Sequence, residues 1–218
     1  LDRISLELIP GEIFGIIGEN GAGKSTLLKI LSGIYDATEG TIEIDGTPVE
    51  IDNPISAMQL GISMVPQEFN LIDTLTVFEN VFLGREERRG ALLDKNTMRS
   101  RARELFEELQ TSIDVESMIR NLSAADKQMV EIAKALVLES KVLIMDEPTS
   151  VLTSVEVKVL FQIMRRLKDR GVTIIFISHK LWEIREVCDR VLILRDGEFI
   201  SLDPISELTE HEMARRMV

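Results

Sequence analysis

The sequence predicts an α/β protein with a largely parallel central sheet and a helical stretch inserted into it. Helical patterns separate short apolar runs of the kind found in buried strands, and strands that alternate with helices pair in parallel. Strand signals fade between Asn80 and Ser140, which places the helical insertion there. The predicted buried strands are Ile13–Ile17, Ile62–Val65, Val142–Met145, Val172–Ile177 and Val191–Leu194.

Two further strands and one helix are expected in the first fifty residues. Apolar residues alternate with polar ones over residues 4–8, which predicts a half-buried strand. Lys24–Leu31 carries helix signals. The alternation over residues 41–45 predicts another strand, which the turn dipeptide Asp45-Gly46 folds back into a hairpin.

Four helices are predicted from their capping residues. Asp94 caps a helix with an apolar stripe, and a second helix begins near Ser123. The pair Thr153 and Glu156 forms a capping box that opens a helix before the strand at 172–177, and Thr209 with Glu212 repeats it near the end. The expected stripe after Asp94 is Met98, Ala102, Leu105, Phe106 and Leu109.

Composition limits the possible functions. The 218 residues suffice for a packed core, and 25 basic against 37 acidic residues give a net charge of −12, which argues against a bulk nucleic-acid binder. No apolar run approaches the roughly 20 residues of a membrane helix, so the chain is not expected to be a pore. The single cysteine, Cys188, indicates a reducing compartment. The sequence does not begin with Met, and we expect it to be part of a longer chain.

A phosphate-binding loop lies between the first buried strand and the first helix. Its spacing is G-x-x-x-x-G-K-[ST], and the glycines let successive backbone N–H groups point at phosphate oxygens. Lys24 is expected to reach the β- and γ-phosphates, and the Ser25 hydroxyl to hold Mg²⁺. The loop comprises Gly18, Glu19, Asn20, Gly21, Ala22, Gly23, Lys24 and Ser25.

Polar residues follow three of the predicted strands. Asp146 and Glu147 end an apolar strand, where Asp146 would support magnesium through water and Glu147 would deprotonate an attacking water. His179 follows the next strand and could touch a γ-phosphate, although an ordinary surface histidine fits equally well. Gln67 follows the strand ending at Val65, and its amide could ligate magnesium or the water.

The order of these motifs resembles the ATP-binding-cassette (ABC) ATPases over nearly the whole chain. The finer resemblance is to the first cassette of tandem-cassette ATPases that import monosaccharides of the ribose, galactose, arabinose and xylose type. The motifs are the phosphate loop, Val65-Pro66-Gln67-Glu68, the signature-like Leu122-Ser123-Ala124-Ala125-Asp126-Lys127-Gln128, Asp146-Glu147-Pro148-Thr149-Ser150 and Ile177-Ser178-His179-Lys180. The finer match includes Leu75-Thr76-Val77-Phe78-Glu79-Asn80-Val81 and Gln128–Leu136.

The resemblance implies one ABC ATPase domain over residues 1–218. Its core would be residues 1–67 and 141–218, with an antiparallel β subdomain, and its helical subdomain would be about 68–140. The chain would bind ATP and Mg²⁺, pair with a second cassette and drive an integral membrane permease from the cytoplasmic face of the membrane, a bacterial inner membrane. The solute itself would not touch this chain.

The resemblance also implies a role for each site residue. Glu147 would be the general base for an ATP held by residues 18–26, which end at Thr26. His179 would bridge to the γ-phosphate, and Gln67 would link magnesium to the permease contact. The signature residues Ser123, Ala124 and Ala125 would serve the ATP of the partner cassette.

Two features depart from the family pattern. The signature is usually Leu-Ser-Gly-Gly-Gln, whereas Ala124, Ala125 and Asp126 stand here. We expect either that these three residues weaken phosphate contact or that the local backbone differs from that of the family. Family members also place an aromatic residue upstream of the first strand to stack on adenine. No aromatic precedes Phe14, so the adenine platform is expected to lie outside this sequence, with reduced nucleotide affinity.

Two other functional classes stay open. The alternative is a non-transport ABC ATPase of DNA repair or translation, which the acidic net charge disfavours. The apolar residues Phe69, Leu71, Ile72 and Phe78 also disfavour it if they face a permease, but not if they pack in the core. A P-loop GTPase or kinase is the third, and Asp94-Lys95-Asn96-Thr97 is not the guanine-reading motif of a GTPase.

Overall fold

The computed structural model describes residues 1–2, 4–90, 92–137 and 140–218. Its strands are β1 (Ile13–Ile17), β2 (Ile42–Ile44), β3 (Thr47–Val49), β4 (Ile62–Val65), β5 (Arg88–Arg89), β6 (Leu92–Leu93), β7 (Val142–Asp146), β8 (Thr173–Ile177), β9 (Arg190–Arg195) and β10 (Glu198–Pro204). Its α-helices are α1 (Lys24–Leu31), α2 (Pro54–Gln59), α3 (Val77–Val81), α4 (Lys95–Glu108), α5 (Ala124–Leu136), α6 (Ser154–Asp169), α7 (Leu181–Val187) and α8 (Glu210–Met217).

A six-stranded sheet forms the centre, in the order β10-β9-β1-β8-β7-β4. Four of its five pairings are parallel, and only the edge pair β9 and β10 is antiparallel. The hairpins β2-β3 and β5-β6 stand apart as two-stranded sheets. The predicted α/β class with a mostly parallel sheet is therefore confirmed.

Alternate residues of each buried strand pack on opposite faces of this sheet. Ile13 and Ile17 of β1 join a cluster that includes the buried side of helices α3 to α8, whereas Phe14 and Ile16 join a second cluster with α1 and α2. All five β1 residues are buried, which explains the uninterrupted apolar run in the sequence. Helices thus cover both faces and leave the strand ends open for a site.

The predicted caps occupy their expected positions. Asp94 caps α4, Ser123 caps α5, and capping boxes open α6 at Thr153 and α8 at Thr209. The hairpin at residues 42–49 turns through Asp45 and Gly46, both with positive φ. Within the described part of the chain, no helix is long and apolar enough to cross a membrane.

The strand prediction for residues 4–8 is wrong. The side chains of Ile4, Leu6 and Leu8 do alternate toward the second cluster, but the segment belongs to neither strand ladder nor helix. The carbonyl oxygen of Glu7 accepts instead from the guanidinium of Arg190. Side-chain alternation therefore formed without the backbone pairing that defines a strand.

Some elements were not anticipated. The short helices α2, α3 and α7, the strand β10 and the small β5-β6 hairpin lie where no element was predicted. Residue 91, which falls between β5 and β6 in the sequence, lies outside the described residues. Phe78, a candidate permease contact, is buried in the core, whereas Ile72 is 42% exposed.

Candidate nucleotide site

The phosphate loop connects β1 to α1 at the carboxyl end of the sheet. Gly21 and Gly23 have φ values of 87° and 97°, a region that residues with a Cβ rarely adopt. At Gly18 a Cβ would collide with the carbonyl oxygen of Leu194 and lie 2.8 Å from the Ala22 Cβ. The glycines at fixed spacing are therefore required by this backbone, not only by a phosphate.

Lys24 begins α1 and turns back across the loop. Its Nζ donates to the carbonyl oxygens of Gly18 at 2.7 Å and Glu19 at 2.9 Å. Partial burial lowers the pKa of Lys24, while the charges of Glu147 and Asp146 oppose that change. The ammonium group therefore lies within electrostatic reach of the carboxylates that end β7.

Glu147 contacts residues from two other sequence motifs, Gln67 and His179. Its Oε2 accepts from Nε2 of Gln67 at 3.2 Å and lies 3.3 Å from Nδ1 of His179. Parallel pairing of β4 with β7 and of β7 with β8 brings the ends of these strands to one edge. The structure thus places Gln67, Glu147 and His179 together.

The backbone of Glu147 is unusual. Its φ is 48°, in the left-handed region that non-glycine residues seldom occupy. Its N–H donates to the carbonyl oxygen of Ile177 at 3.1 Å, so the chain turns sharply after β7 while staying bonded to β8. Strain of this kind persists only where the surroundings hold it, and it is concentrated at functional sites.

Asp146 is the last residue of β7 and is half-buried. Burial raises its pKa, and the neighbouring Glu147 charge raises it further, while Lys24 and Lys29 lower it. A cation beside these carboxylates would relieve their mutual repulsion. The electrostatics of this strand end therefore favour a bound metal or a further positive charge.

The candidate magnesium ligands are oxygen donors. Ser25 offers a hydroxyl, Asp146 a carboxylate, and Gln67 the amide oxygen that remains when its nitrogen donates to Glu147. Mg²⁺ takes such oxygens together with substrate phosphates, usually with only one or two carboxylates. Among the described residues, no group of three or more His, Cys, Asp or Glu side chains could hold a metal ion.

The signature-like segment opens α5. Ser123 Oγ accepts from the Asp126 N–H at 3.1 Å and donates to Asp126 Oδ2 at 2.7 Å. Ser123 and Ala124 are exposed, and Ala125 is half-buried. In the part of the chain that the structure describes, no hydrogen bond or ion pair joins these residues to the phosphate loop, so they form a separate surface.

One group at this edge was missed by the sequence prediction. Glu183 of α7 is fully buried and accepts hydrogen bonds from Thr149 and Ser178, which flank Glu147 and His179. The available signal was an acidic residue on the apolar face made by Ile184 and Val187, since a charge on a core face needs a partner.

A buried strand, a glycine-rich loop opening a helix and a carboxylate pair at the end of another parallel strand, β7, define a phosphate-loop nucleotide-binding protein. The profile of the ABC transporter family matches residues 1–150. The chain therefore belongs to the ABC transporter family.

Curated relatives match the whole length of this chain, and two of them illustrate the match. Ribose import ATP-binding protein RbsA 1 of Rubrobacter xylanophilus is 50% identical over 218 residues, which are 100% of this chain and 44% of that protein. A putative ribose/galactose/methyl galactoside import ATP-binding protein of Agrobacterium fabrum is 47% identical over 218 residues, again 100% of this chain and 43% of that protein. The chain thus spans less than half the length of these relatives.

Solved cassettes have the same fold. The dimeric post-hydrolysis state of the ATP-binding cassette MJ0796, bound to ADP and Pi, matches with a TM-score of 0.78 and 29% identity, over 92% of this chain and 88% of that chain. CbiO1 of Clostridium perfringens, part of the ABC transporter complex cbiONQ, matches with a TM-score of 0.80 and 29% identity, over 94% and 81%. The expected ABC ATPase fold is confirmed.

Proposed function

We propose that this chain is one cassette of an ABC importer, which hydrolyses ATP to drive uptake of a monosaccharide through a separate membrane permease. The observation that carries the enzymatic part is the convergence of Gln67 and His179 on Oε2 of Glu147, beside the phosphate loop. The names of the relatives, which are ribose and galactose import proteins, support the transport part. The site would be at the cytoplasmic face of the membrane.

In this proposal each residue acts on one step of hydrolysis. Residues 18–26 cradle the phosphates through backbone N–H groups, and Lys24 exchanges its two carbonyl partners for phosphate oxygens. Glu147 takes a proton from water as the water oxygen attacks the γ-phosphorus, and the bond to the bridging oxygen breaks to leave ADP and phosphate. Gln67 and His179 orient the carboxylate.

Magnesium would be held by Ser25, with Gln67 and Asp146 as further oxygen donors. When bound, Mg²⁺ neutralises charge on the phosphate oxygens. Asp146 fits this role because it places a carboxylate next to that of Glu147 at the strand end, where burial first and the charge of Glu147 second raise the pKa of Asp146. Chelation is therefore expected to abolish hydrolysis.

A second cassette would complete each site. Ser123, Ala124 and Ala125 lie on a surface apart from the phosphate loop, so they would serve an ATP held by the partner at the N-terminus of α5. The longer relatives have room for such a second cassette in the same chain. We also propose that residues 1–67 and 141–218 form the core of the cassette and that residues from about 68 to 140 form its helical part.

The permease contact would lie on the segment after Gln67. Ile72 and Leu83 are 42% and 37% exposed, and Phe69 and Leu71 are half-buried. Phe78 is excluded from this surface because it is in the core. Ile72→Asp is expected to weaken permease binding while leaving ATP binding to the phosphate loop unchanged.

The test uses the natural full-length chain with its permease in membrane vesicles. We expect Mg-ATP hydrolysis coupled to uptake of labelled ribose or galactose, and little hydrolysis by the 218-residue chain alone at low concentration. Strong preference for GTP over ATP would contradict the ATPase. Purification with ribosomes or DNA repair factors instead of a membrane protein would contradict the transport role, as would robust, concentration-independent turnover by the isolated chain.

A further inference from the structure

Glu183 is an acidic residue of α7 whose side chain is buried inside the protein. Its exposed fraction is 0%, although carboxylates are seldom fully buried without partners. The residues beside it on that face, Ile184 and Val187, are ordinary core residues. An apolar side chain would fill such a position without the cost of removing a charge from water.

The partners of Glu183 come from two different loops. Oε2 accepts from Thr149 Oγ1 at 2.7 Å and from Ser178 Oγ at 2.6 Å, and both hydrogen bonds are buried. Lys180 Nζ lies 3.2 Å from Oε1, at ion-pair distance but too poorly aligned for a hydrogen bond. The same ammonium group donates to the Thr149 carbonyl oxygen at 3.4 Å.

These partners adjoin the proposed hydrolysis residues. Thr149 is two residues after Glu147, and Ser178 is one residue before His179. One oxygen atom of Glu183 therefore fastens the loop after β7 to the loop after β8. The 3.3 Å separation of Glu147 and His179 is measured between these two loops.

The loop after β7 needs such a restraint. Glu147 has a φ of 48°, which its own side chain disfavours, so tertiary contacts must hold the turn. The Glu147 N–H bond to Ile177 is one contact, and the Thr149 bond to Glu183 is the next along the chain.

We propose that Glu183 is a positioning residue of the hydrolysis site, which holds Glu147 and His179 in register through Thr149 and Ser178. This inference rests on the proposed function, because it concerns the reaction of Glu147. Glu183 touches no residue of the phosphate loop among its recorded contacts, so it acts on the hydrolysis step and not on nucleotide affinity.

The direct test is Glu183→Met in the full natural chain with its partners. Both hydroxyls donate to one oxygen, Oε2, which an amide oxygen could replace, so the variant removes both carboxylate oxygens and keeps the length of the side chain. We expect kcat to fall by about tenfold or more, since small displacements of reacting groups have effects of this size, with KM for ATP almost unchanged. Glu186→Met is the matched control, because Glu186 lies on the same helix, is exposed and pairs only with Arg165 in its recorded contacts.

A second pair of variants separates positioning from folding. Thr149→Val and Ser178→Ala each remove one hydroxyl and keep most of the core volume. If Glu183 joins the two loops, each variant lowers kcat, and the double variant loses less than the product of the single losses. Rates are divided by the fraction of chains that bind nucleotide, so loss of folded protein does not count as lost kcat.

The outcomes distinguish this inference from the proposed function. A wild-type assembly that does not hydrolyse ATP would overturn the proposed function. An active wild type with unchanged kcat in Glu183→Met, or in Thr149→Val and Ser178→Ala should Glu183→Met not fold, would overturn only the role of Glu183. A rise in KM with kcat preserved would likewise contradict it.

Discussion

Nδ1 of His179 lies 3.3 Å from Oε2 of Glu147, the oxygen that also accepts from Gln67. The two residues follow the neighbouring parallel strands β7 and β8, so the sheet brings the two loops that carry them close together. Glu147 is only 20% exposed at its side chain, whereas His179 is 60% exposed. The carboxylate is thus held inside the site, and the imidazole stands at its opening toward any partner that closes over it.

This arrangement predicts that Glu147→Gln separates binding from hydrolysis. The amide keeps the size of the side chain but cannot accept a proton from water, so hydrolysis should fall by about 100-fold or more. Binding of Mg-ATP should persist because the phosphate loop is unchanged. Equilibrium binding and single-turnover hydrolysis measure the two effects. Glu107→Gln, an exposed change on α4, is the control, and wild-type turnover by Glu147→Gln would refute the role of Glu147 as base.

Lys24→Ala should have the opposite effect and remove binding. Its ammonium group already spans two carbonyl oxygens of the loop, which places it where phosphate oxygens would come. Loss of charge-assisted contacts to two phosphates should weaken Mg-ATP affinity by about 100-fold or more. Titration calorimetry measures this change. Lys158→Ala, an exposed lysine on α6, should retain full affinity, and unchanged affinity in Lys24→Ala would refute the site.

The sequence predicted those parts of the fold that depend on local patterns. Ile13–Ile17 and Lys24–Leu31 have the predicted bounds, because a buried strand and a helix each carry their own periodicity. The strand β10 was missed although Asp196-Gly197 has the same turn dipeptide as the predicted hairpin. The seven-residue helix α7 is too short for a periodic signal, and Glu183 interrupts its apolar face.

The sequence predicted which residues form the site, but not which of their side chains are in contact. Strand ends and motif spacing placed Lys24, Asp146 and Glu147 at one edge. That Gln67 and His179 share one oxygen of Glu147 depends on the order of strands in the sheet, which no local pattern encodes. The strand prediction for residues 4–8 is wrong for the same reason, because a strand needs a pairing partner elsewhere in the chain and local alternation does not show whether one exists.

Asp126 is expected to weaken the binding of the partner cassette's ATP by the signature-like segment. It binds the Ser123 hydroxyl in its own chain and adds a negative charge near the N-terminus of α5, where a partner's phosphate would come. Asp126→Asn keeps the backbone cap, because the N–H of residue 126 still donates to Ser123.

The expected result for Asp126→Asn is a several-fold lower KM for ATP in the two-cassette assembly. The affinity of the single cassette for ATP, which its own phosphate loop provides, should stay unchanged. The gain should shrink as salt rises, because screening reduces the repulsion that the substitution removes. ATPase assays at low and high ionic strength measure both effects. An equal KM for the two proteins at low salt would show that Asp126 does not face the partner's phosphate.

Glu131 provides a test of stability against pH. It is 3% exposed on α5, and its carboxylate accepts from the N–H of Asn70. Burial raises the pKa of Glu131, while the charge of Lys134 and the Asn70 hydrogen bond lower it by less. Because the folded state favours the protonated acid, this group contributes most to stability below its unfolded pKa, and that contribution is lost as pH rises through the raised folded pKa.

Glu131→Gln imitates the protonated acid at every pH. The variant should therefore be more stable than the wild type near neutral pH, and the difference should shrink as pH falls through the raised pKa of Glu131. Urea unfolding followed by the fluorescence of Trp182, the only tryptophan, measures the difference from about pH 5 to about pH 8. The exposed control Glu107→Gln should show no such trend. A variant whose disadvantage grew with pH would mean that the ionised carboxylate stabilises the fold through Lys134 and Asn70.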